Sequence, residues 1–246
     1  MNIKINRDAL LKPLANVASI VERKHALPIL SNILIQGKDG QVQLTATDLE
    51  MQVSLSFKAD LKEEIATTIS ARKFFDITRS LPDDCVIDIA IKDSRVAVKA
   101  NKSRFAIQTL PAKDYPVMTK ASSEAVVITI SQIQLKRLLK QVEFAMAQQD
   151  IRYYLNGLLF EVNGNQLNIV GTDGHRLSFT SIHLDQNYNK TEVILPRKTV
   201  IELIKLLNET EELVSVELYK GQVSFNFNDI QLISKVIDGK FPDYTR

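Results

Sequence analysis

Hydrophobic and polar residues alternate along most of this chain, and alternation of this kind predicts short β-strands. In the first half the predicted strands are Gln41–Asp48, Met51–Lys58, Val86–Lys92, Arg95–Ala100 and Arg104–Leu110. In the second half they are Leu158–Asn163, Leu167–Asp173, Arg176–Leu184, Glu192–Leu195, Ser215–Tyr219, Gln222–Asn228 and Gln231–Val236. The chain is therefore expected to contain much β-sheet.

Four segments instead carry apolar residues at helical spacing, namely residues 6–18, 71–80, 131–142 and 196–207. Asn6 is placed to cap the first segment, and Ser131 with Gln134 has the spacing of a capping box at the third. Pro13 lies inside the first segment and is expected to kink or shorten that helix. Two helices and several strands in each half predict an α+β fold, with the helices packed on antiparallel sheet.

The pattern of the first half repeats in the second after a shift of 125 residues, and the register slips by two from Ile89, which falls on Val216. Under that shift Ile3, Ile5, Leu10, Leu14, Val17, Leu30 and Leu34 fall on Ile128, Ile130, Leu135, Leu139, Val142, Leu155 and Leu159. Likewise Thr47-Asp48 falls on Thr172-Asp173, and Arg72-Lys73 falls on Arg197-Lys198. Because one shift serves nearly 80 residues without a gap, we interpret the halves as two copies of one domain, at residues 1–120 and 125–246.

Charge is distributed unevenly between the predicted elements. The net charge is only +2, yet the four helices hold three carboxylates against eleven cations, which are Arg7, Lys12, Arg72, Lys73, Arg79, Lys136, Arg137, Lys140, Arg197, Lys198 and Lys205. On any single helix such cations are equally well explained as solvated surface charge. The same bias in four corresponding helices favours a shared surface for a polyanion, with phosphate contacts that do not read bases.

The composition narrows the class of protein. The lone Cys85 excludes an internal disulfide and fits a reducing compartment. Apolar runs are far shorter than the ~20 residues that span a bilayer, and no signal peptide is visible, so a cytoplasmic protein is expected. No zinc pair, nucleophile elbow or glycine-rich phosphate loop occurs, so neither a metal nor a cofactor is expected.

The most enzyme-like segment is Thr172–Arg176, which contains an Asp and a His. Its Thr-Asp pair recurs at Thr47-Asp48, so Asp173 is expected to cap backbone amides in a turn. His175 belongs to the second copy alone, which favours a binding surface there. Two alternatives remain: a nuclease or nucleotidyl-transfer enzyme that uses Asp173 and His175, and a sequence-specific DNA-binding protein.

Tyr153 and Tyr154 lie in a polar and basic segment that follows a helix. Adjacent side chains of a strand point to opposite faces. One tyrosine is therefore expected to pack in the core and the other to face a sugar-phosphate backbone or a partner, while two half-buried tyrosines are an equal alternative.

Five strings of residues stand out when the chain is taken as a whole. They are Ala71-Arg-Lys-Phe-Phe-Asp76, Gln149-Asp-Ile-Arg-Tyr-Tyr-Leu-Asn-Gly157, Thr172-Asp-Gly-His-Arg-Leu177, Pro196-Arg-Lys198 and Gly239-Lys-Phe-Pro-Asp-Tyr244. Together, and in this order, they resemble the bacterial sliding clamp family, the beta subunit of DNA polymerase III. The resemblance implies tandem DNA-clamp domains, and it accounts for the repeat and the basic helices.

The resemblance also implies two sets of site residues. The DNA-contacting positions of the family fall on Lys24, Arg72, Lys73, Gln149, Tyr153, Tyr154, Arg197 and Lys198. The family's pocket for short peptide motifs falls on Leu155, Thr172, Gly174, His175, Arg176, Leu177, Pro242 and Arg246. The family commonly has Arg where Lys24 stands and His where Gln148 stands. Because Lys lacks the bidentate fork of Arg, a looser DNA contact is expected at Lys24.

A member of this family is expected to be a processivity factor without a catalytic site. In the family, three such domains form a subunit, and two subunits close head to tail into a ring around double-stranded DNA, with the helices lining the hole. The ring tethers the polymerase III catalytic subunit, and the clamp loader, other polymerases and repair proteins use the peptide pocket. Because two copies are present here, we expect a truncated subunit that lacks the third domain and is mainly monomeric.

Overall fold

The computed structural model describes residues 2–21, 27–61, 63–92 and 94–246. These residues belong to two compact units, Met1–Met118 and Thr119–Arg246. Within each unit the named strands pair antiparallel, and the described chain contains four α-helices. The predicted α+β fold is confirmed.

The first unit begins with a strand and a helix and then alternates groups of strands with a second helix. Its helices are α1 (Arg7–Ala18) and α2 (Ala71–Ser80), and its strands are β1 (Asn2–Asn6), β2 (Asn32–Lys38), β3 (Gln41–Thr47), β4 (Met51–Lys58), β5 (Asp60–Leu61), β6 (Ile65–Ser70), β7 (Val86–Lys92), β8 (Arg95–Ala100) and β9 (Ser103–Gln108). One sheet has the order β5-β1-β7-β8-β9, and in the other β4, β3, β2 and β6 are neighbours. The sequence pattern missed β2 because its first four residues are all buried and show no alternation.

Helix α1 begins where its sequence predicts. Oδ1 of Asn6 accepts a hydrogen bond of 2.8 Å from the backbone N–H of Asp8, which satisfies one of the free donors at the helix start. The helix continues through Pro13 to Ala18, so the expected shortening does not occur. An apolar stripe that packs into the core on both sides of the proline holds the helix together, and it consists of Leu10, Leu14 and Val17.

The second unit is built around one long pair of strands. Its helices are α3 (Gln132–Val142) and α4 (Arg197–Leu206), and its strands are β10 (Val126–Ser131), β11 (Gly157–Thr172), β12 (Leu177–Pro196), β13 (Leu213–Leu218), β14 (Gln222–Phe227) and β15 (Ile230–Lys235). The strands β10, β13, β14 and β15 are neighbours in one sheet, and β11 pairs with β12. Four separately predicted strands thus form two long ones, whose register is irregular between Val162 and Gln166.

The start of α3 is satisfied by distant backbone rather than by the predicted capping box. The N–H of Gln132 donates to the carbonyl of Glu212 (2.9 Å), and that of Ile133 donates to the carbonyl of Thr210 (3.0 Å). In the part of the chain that the structure describes, Ser131 makes no side-chain cap bond. The prediction was wrong because the segment after α4 brings carbonyl groups to this helix end.

Two of the helix cations stabilise helix ends within the fold. Nε of Arg7 donates to the carbonyl of Thr78 (3.2 Å) and its Nη2 to that of Arg79 (3.1 Å), at the end of α2. Nζ of Lys136 donates in the same way to the carbonyl of Leu207 (3.0 Å), just after α4. Positive charge at the carbonyl end of a helix is favourable. These two side chains, only 12% and 18% exposed, therefore do not belong to an outward basic surface.

Candidate nucleic-acid interface and partner pocket

A tight turn joins β11 to β12 and carries five of the predicted pocket residues. Oδ1 of Asp173 accepts hydrogen bonds from the backbone N–H groups of His175 (2.9 Å) and Arg176 (3.0 Å). The hydroxyl of Thr172 donates to the carbonyl of Arg176 (2.7 Å) and accepts from the N–H of Gly174 (3.1 Å). The two bonds from backbone N–H groups are the main reason that the pKa of Asp173 lies below its usual range. Asp173 therefore shapes the turn, as the repeat predicts.

The first copy contains the same turn. Oδ1 of Asp48 accepts from the N–H groups of Glu50 (2.9 Å) and Met51 (2.7 Å). Leu49 there adopts a left-handed φ of 75°, where Gly174 has 88°. Because this region strains a side chain with a Cβ and does not strain glycine, the second copy holds the same turn at lower cost.

Arg176 is fixed against the outside of the turn. Its Nε donates to Oδ2 of Asp173 (3.0 Å), and its Nη2 donates to the carbonyl of Phe144 (2.8 Å). The guanidinium also lies over the Phe144 ring, 5.5 Å from the centroid. Both oxygens of Asp173 thus accept bonds within the turn, which disfavours the alternative of an enzyme that uses Asp173 and His175.

The predicted pocket residues differ in exposure. Leu155 and Thr172 are buried, whereas the exposed members are Gly174, His175, Arg176, Leu177, Pro242 and Arg246. Leu177 and Phe179 lie on one face of β12, and each is 49% exposed. The surface beside the turn is therefore apolar and open, while Leu155 belongs to the core.

The segment after β15 is attached to β11 and β12 through Tyr244. The Tyr244 ring stacks on Phe179 with 5.8 Å between centroids, and its hydroxyl donates to the buried carboxylate of Glu161. Glu161 also accepts from Asn168 (3.0 Å) and pairs with Lys190 (2.9 Å). Burial raises the pKa of Glu161, but these hydrogen bonds outweigh it and leave the pKa lowered. The same segment carries two predicted pocket residues, Pro242 and Arg246.

A groove in the second unit brings together three of the predicted DNA-contacting residues. Its volume is about 470 Å³, and Gln149, Arg197 and Lys198 are among its lining residues. The N–H of Arg197 donates to the carbonyl of Asn156 (3.0 Å), which fixes the start of α4 against the preceding loop. The lining thus includes two cations and three amide side chains, which are groups that hydrogen-bond phosphate oxygens, together with the carboxylate of Glu202.

In the first unit, Arg72 and Lys73 are exposed on α2. Nε of Arg72 lies 3.8 Å from Oδ2 of Asp76, and the Arg72 side chain is 79% exposed. A pair this long and this solvated contributes little energy, so it does not hold Arg72 away from an anionic ligand. The predicted DNA-contacting residue Lys24 lies outside the described residues.

Comparison with known proteins extends the resemblance to the whole chain. Residues 1–119 match the family described as DNA polymerase III beta subunit, N-terminal domain. Residues 129–243 match the family described as DNA polymerase III beta subunit, central domain. The chain is 44% identical to the beta sliding clamp of Pseudomonas aeruginosa and 42% identical to that of Escherichia coli, and all of it aligns with 67% of each. The chain belongs to the bacterial beta sliding clamp family.

Solved clamp structures have the same fold. A Pseudomonas aeruginosa sliding clamp bound to griselimycin superposes with a TM-score of 0.96 at 43% identity. The superposed region includes 100% of this chain and 67% of the Pseudomonas aeruginosa chain. A Caulobacter crescentus sliding clamp superposes with a TM-score of 0.93 at 37% identity, over 100% of this chain and 68% of the Caulobacter crescentus chain. The family is a processivity factor of DNA replication that is not itself catalytic, so the prediction that the chain is not an enzyme is confirmed. Within the described ranges, no helix has the length and apolarity needed to cross a membrane.

The two tyrosines of this clamp chain fit neither alternative fully, because Tyr153 is exposed and Tyr154 is only partly buried. Tyr153 is 57% exposed, and Tyr154 packs against a buried cluster that includes Leu159 and Phe241. They occupy a single 3₁₀ turn, Tyr153–Leu155, and not a strand. Their rings meet edge to face, with centroids 6.0 Å apart. The exposed Tyr153 ring offers an aromatic face four residues after Gln149, which lines the groove.

The sequence interpretation missed Asp150 and Arg152. Oδ1 of Asp150 accepts from the backbone N–H (2.7 Å) and Nε (3.0 Å) of Arg152, and its Oδ2 accepts from Nη2 (2.8 Å). The side-chain hydrogen bond from Arg152 is the largest cause that lowers the pKa of Asp150 to about 2. The Asp-x-Arg spacing was an available signal, because an Asp side chain readily bonds the backbone two residues ahead.

Proposed function

We propose that this chain contacts duplex DNA through its basic helix faces and, within a closed ring, holds the replicative polymerase on DNA. The observation that carries this proposal is the groove shared by Gln149, Arg197 and Lys198. Such contacts neutralise phosphates without reading bases, which suits a protein that slides. The remaining contacts that we propose are Lys24, Arg72, Lys73, Tyr153 and Tyr154.

Binding to linear duplex DNA is expected to be weak, independent of sequence and steeply dependent on salt. Each phosphate contact should add about −0.9 to the slope of log affinity against log salt. Fluorescence anisotropy with two unrelated duplexes of equal length, over a series of salt concentrations, measures both properties. Salt-insensitive binding would contradict phosphate contact, and a footprint at a preferred sequence would favour the sequence-specific alternative.

We also propose that the exposed face of the β11–β12 turn accepts short peptide motifs of the polymerase III catalytic subunit, the clamp loader, other polymerases and repair proteins. Support comes from two exposed apolar side chains, Leu177 and Phe179, beside the cationic Arg176. An apolar groove with a few polar groups is the usual form of such a site. Among the relatives, a Pseudomonas aeruginosa clamp binds griselimycin.

Leu177→Ala is expected to weaken griselimycin binding about tenfold, because burial of a leucine side chain contributes roughly 1.5 kcal/mol or more. Leu213→Ala is the matched control, since Leu213 is 62% exposed on β13 and carries no proposed contact. Isothermal titration calorimetry measures both variants. Equal losses in the two, or no loss at Leu177, would remove Leu177 from the proposed pocket.

We further propose that ring closure and the homodimer depend on the third domain that the resemblance implies. The chain spans 67% of the length of its relatives, which leaves room for a further domain of similar size. This chain by itself is then expected to be mainly monomeric. Sedimentation measures its state, and a stable dimer of these two units would contradict the proposal.

A further inference from the structure

Arg152 joins two parts of the second unit that the proposed function treats separately. We name residues 149–154 the DNA-facing loop and residues 172–177 the pocket turn. Inside the DNA-facing loop, the guanidinium of Arg152 pairs with both oxygens of Asp150. Its Nη2 also donates to the backbone carbonyl of Asp173 (3.3 Å), which lies in the pocket turn.

The contact with the pocket turn is close at Gly174. A Cβ at this position would lie 2.9 Å from Nη1 of Arg152, and the residue has a φ of +88°. Glycine therefore both permits the left-handed backbone and leaves room for the guanidinium. Arg152 lies directly on the backbone of the pocket turn.

The DNA-facing loop is also anchored at its other end. The N–H of Asp150 donates to Oδ1 of Asn156 (2.9 Å), and Nδ2 of Asn156 donates to the carbonyl of Asp150 (2.9 Å). The carbonyl of Asn156 accepts from the N–H of Arg197 at the start of α4. A ligand that orders Gln149 or the helix start therefore acts on a continuous series of hydrogen bonds that includes Arg152.

The first copy shows that the turn itself does not need this guanidinium. The position equivalent to Arg152 is Leu27, yet Asp48 holds the same amide bonds to Glu50 and Met51. The bridge thus belongs to the second copy alone, as does the His-Arg sequence of the pocket turn. A contact that is not needed to build the turn is free to serve another purpose.

We propose that Arg152 is a positioning residue that couples DNA contact to the conformation of the pocket turn. This coupling rests on the proposed function, because it links the proposed DNA contacts to the proposed peptide pocket. Duplex DNA that orders the DNA-facing loop fixes Arg152, and Arg152 holds the Asp173 carbonyl in one position. The pocket is then better formed on DNA than off it. By linkage, an occupied pocket strengthens DNA binding by the same factor.

Amide hydrogen exchange with and without a short duplex of arbitrary sequence tests this coupling. The N–H groups of His175 and Arg176 report opening of the pocket turn, and those of Glu50 and Met51 report the equivalent turn of the first copy as an internal control. Duplex DNA is expected to slow exchange at His175 and Arg176 about fivefold, at the lower end of couplings between sites. The control amides should change less.

Two variants assign the effect to the bridge. Arg152→Lys keeps the charge but lacks the planar fork, and Asp150→Asn removes the carboxylate that holds it. Each variant should bind duplex DNA within about twofold of the affinity of the unmodified chain. In each variant, duplex DNA should no longer slow amide exchange at His175 and Arg176. The coupling alone would be overturned if duplex DNA still slowed amide exchange in both variants. It would also be overturned if the unmodified chain bound DNA without slower exchange at His175 and Arg176. Absence of any DNA binding would overturn the proposed function and the coupling with it.

Discussion

Replacement of Arg197 and Lys198 together by Glu is expected to weaken duplex DNA binding on the order of a hundredfold. Replacement of each cation removes a charge-assisted hydrogen bond to phosphate of roughly 1.5 kcal/mol. Two such losses lower the affinity by about two factors of ten. The new carboxylates add repulsion. The slope of log affinity against log salt should also become shallower by about 1.8, because two phosphate contacts are lost. Fluorescence anisotropy over a salt series measures both changes.

The matched control is Lys99→Glu with Lys102→Glu. These exposed lysines belong to the first unit, Lys99 on β8 and Lys102 in the turn before β9, and neither is part of a helix. Their replacement changes the net charge of +2 by the same amount. If the helix cations act through specific phosphate contacts, the control should keep most of its affinity and nearly all of its salt slope. An equal loss in both double variants would mean that bulk charge alone governs binding. That result would contradict the proposed interface on α4.

Local features of the fold were predictable because their causes lie within a few residues. Helix α2 occupies Ala71–Ser80 as its periodicity indicates, and the cap of α1 forms at Asn6. The Asx bonds of Asp173 followed from the repeat, since a Thr-Asp pair that occurs twice has a shared structural cause. These predictions rest on side chains that bond their own neighbours in the sequence.

Features that depend on distant parts of the chain were not predictable in the same way. Arg7 and Lys136 counted as surface charge in the sequence, but they bind helix ends about 70 residues away. No periodicity records which helix end lies opposite a given side chain. For the same reason the donors at the start of α3 found backbone carbonyls, and the capping box did not form.

The candidate site was partly visible in the sequence. Family resemblance indicated the groove residues and the pocket turn, and the structure brings Gln149, Arg197 and Lys198 together. The resemblance did not indicate Arg152, because the proposed role of that residue depends on its contact with Asp173, 21 positions ahead. A motif indicates the role of each of its own residues, whereas hydrogen bonds between two motifs become visible only in the structure.

Gly157→Ala is expected to lower the free energy of unfolding of the second unit by about 3 kcal/mol, at the upper end of overpacking costs. A Cβ at this position would lie 2.3 Å from the carbonyl oxygen of Leu195 and 3.0 Å from side-chain atoms of Ile194 and Ile237. The carbonyl belongs to the backbone of β12, so relief requires the β11–β12 pair to separate. Denaturant unfolding, with the shift in midpoint multiplied by the slope, measures the loss.

The first copy explains why glycine is required at this place. The equivalent residue is Asn32, whose Nδ2 donates to Thr68 (3.0 Å), so a side chain fits there. In the second copy Ile237 instead forms a bridge with Ile194 and fills that space, and it thereby brings the C-terminal segment onto β12. Gly221→Ala is the control, because nothing lies within 4 Å of its Cβ position, and a change within about 0.5 kcal/mol is expected. If Gly157→Ala were as mild as this control, the backbone of β12 would not lie as close to Gly157 as the structure has it, and glycine would not be required at this position.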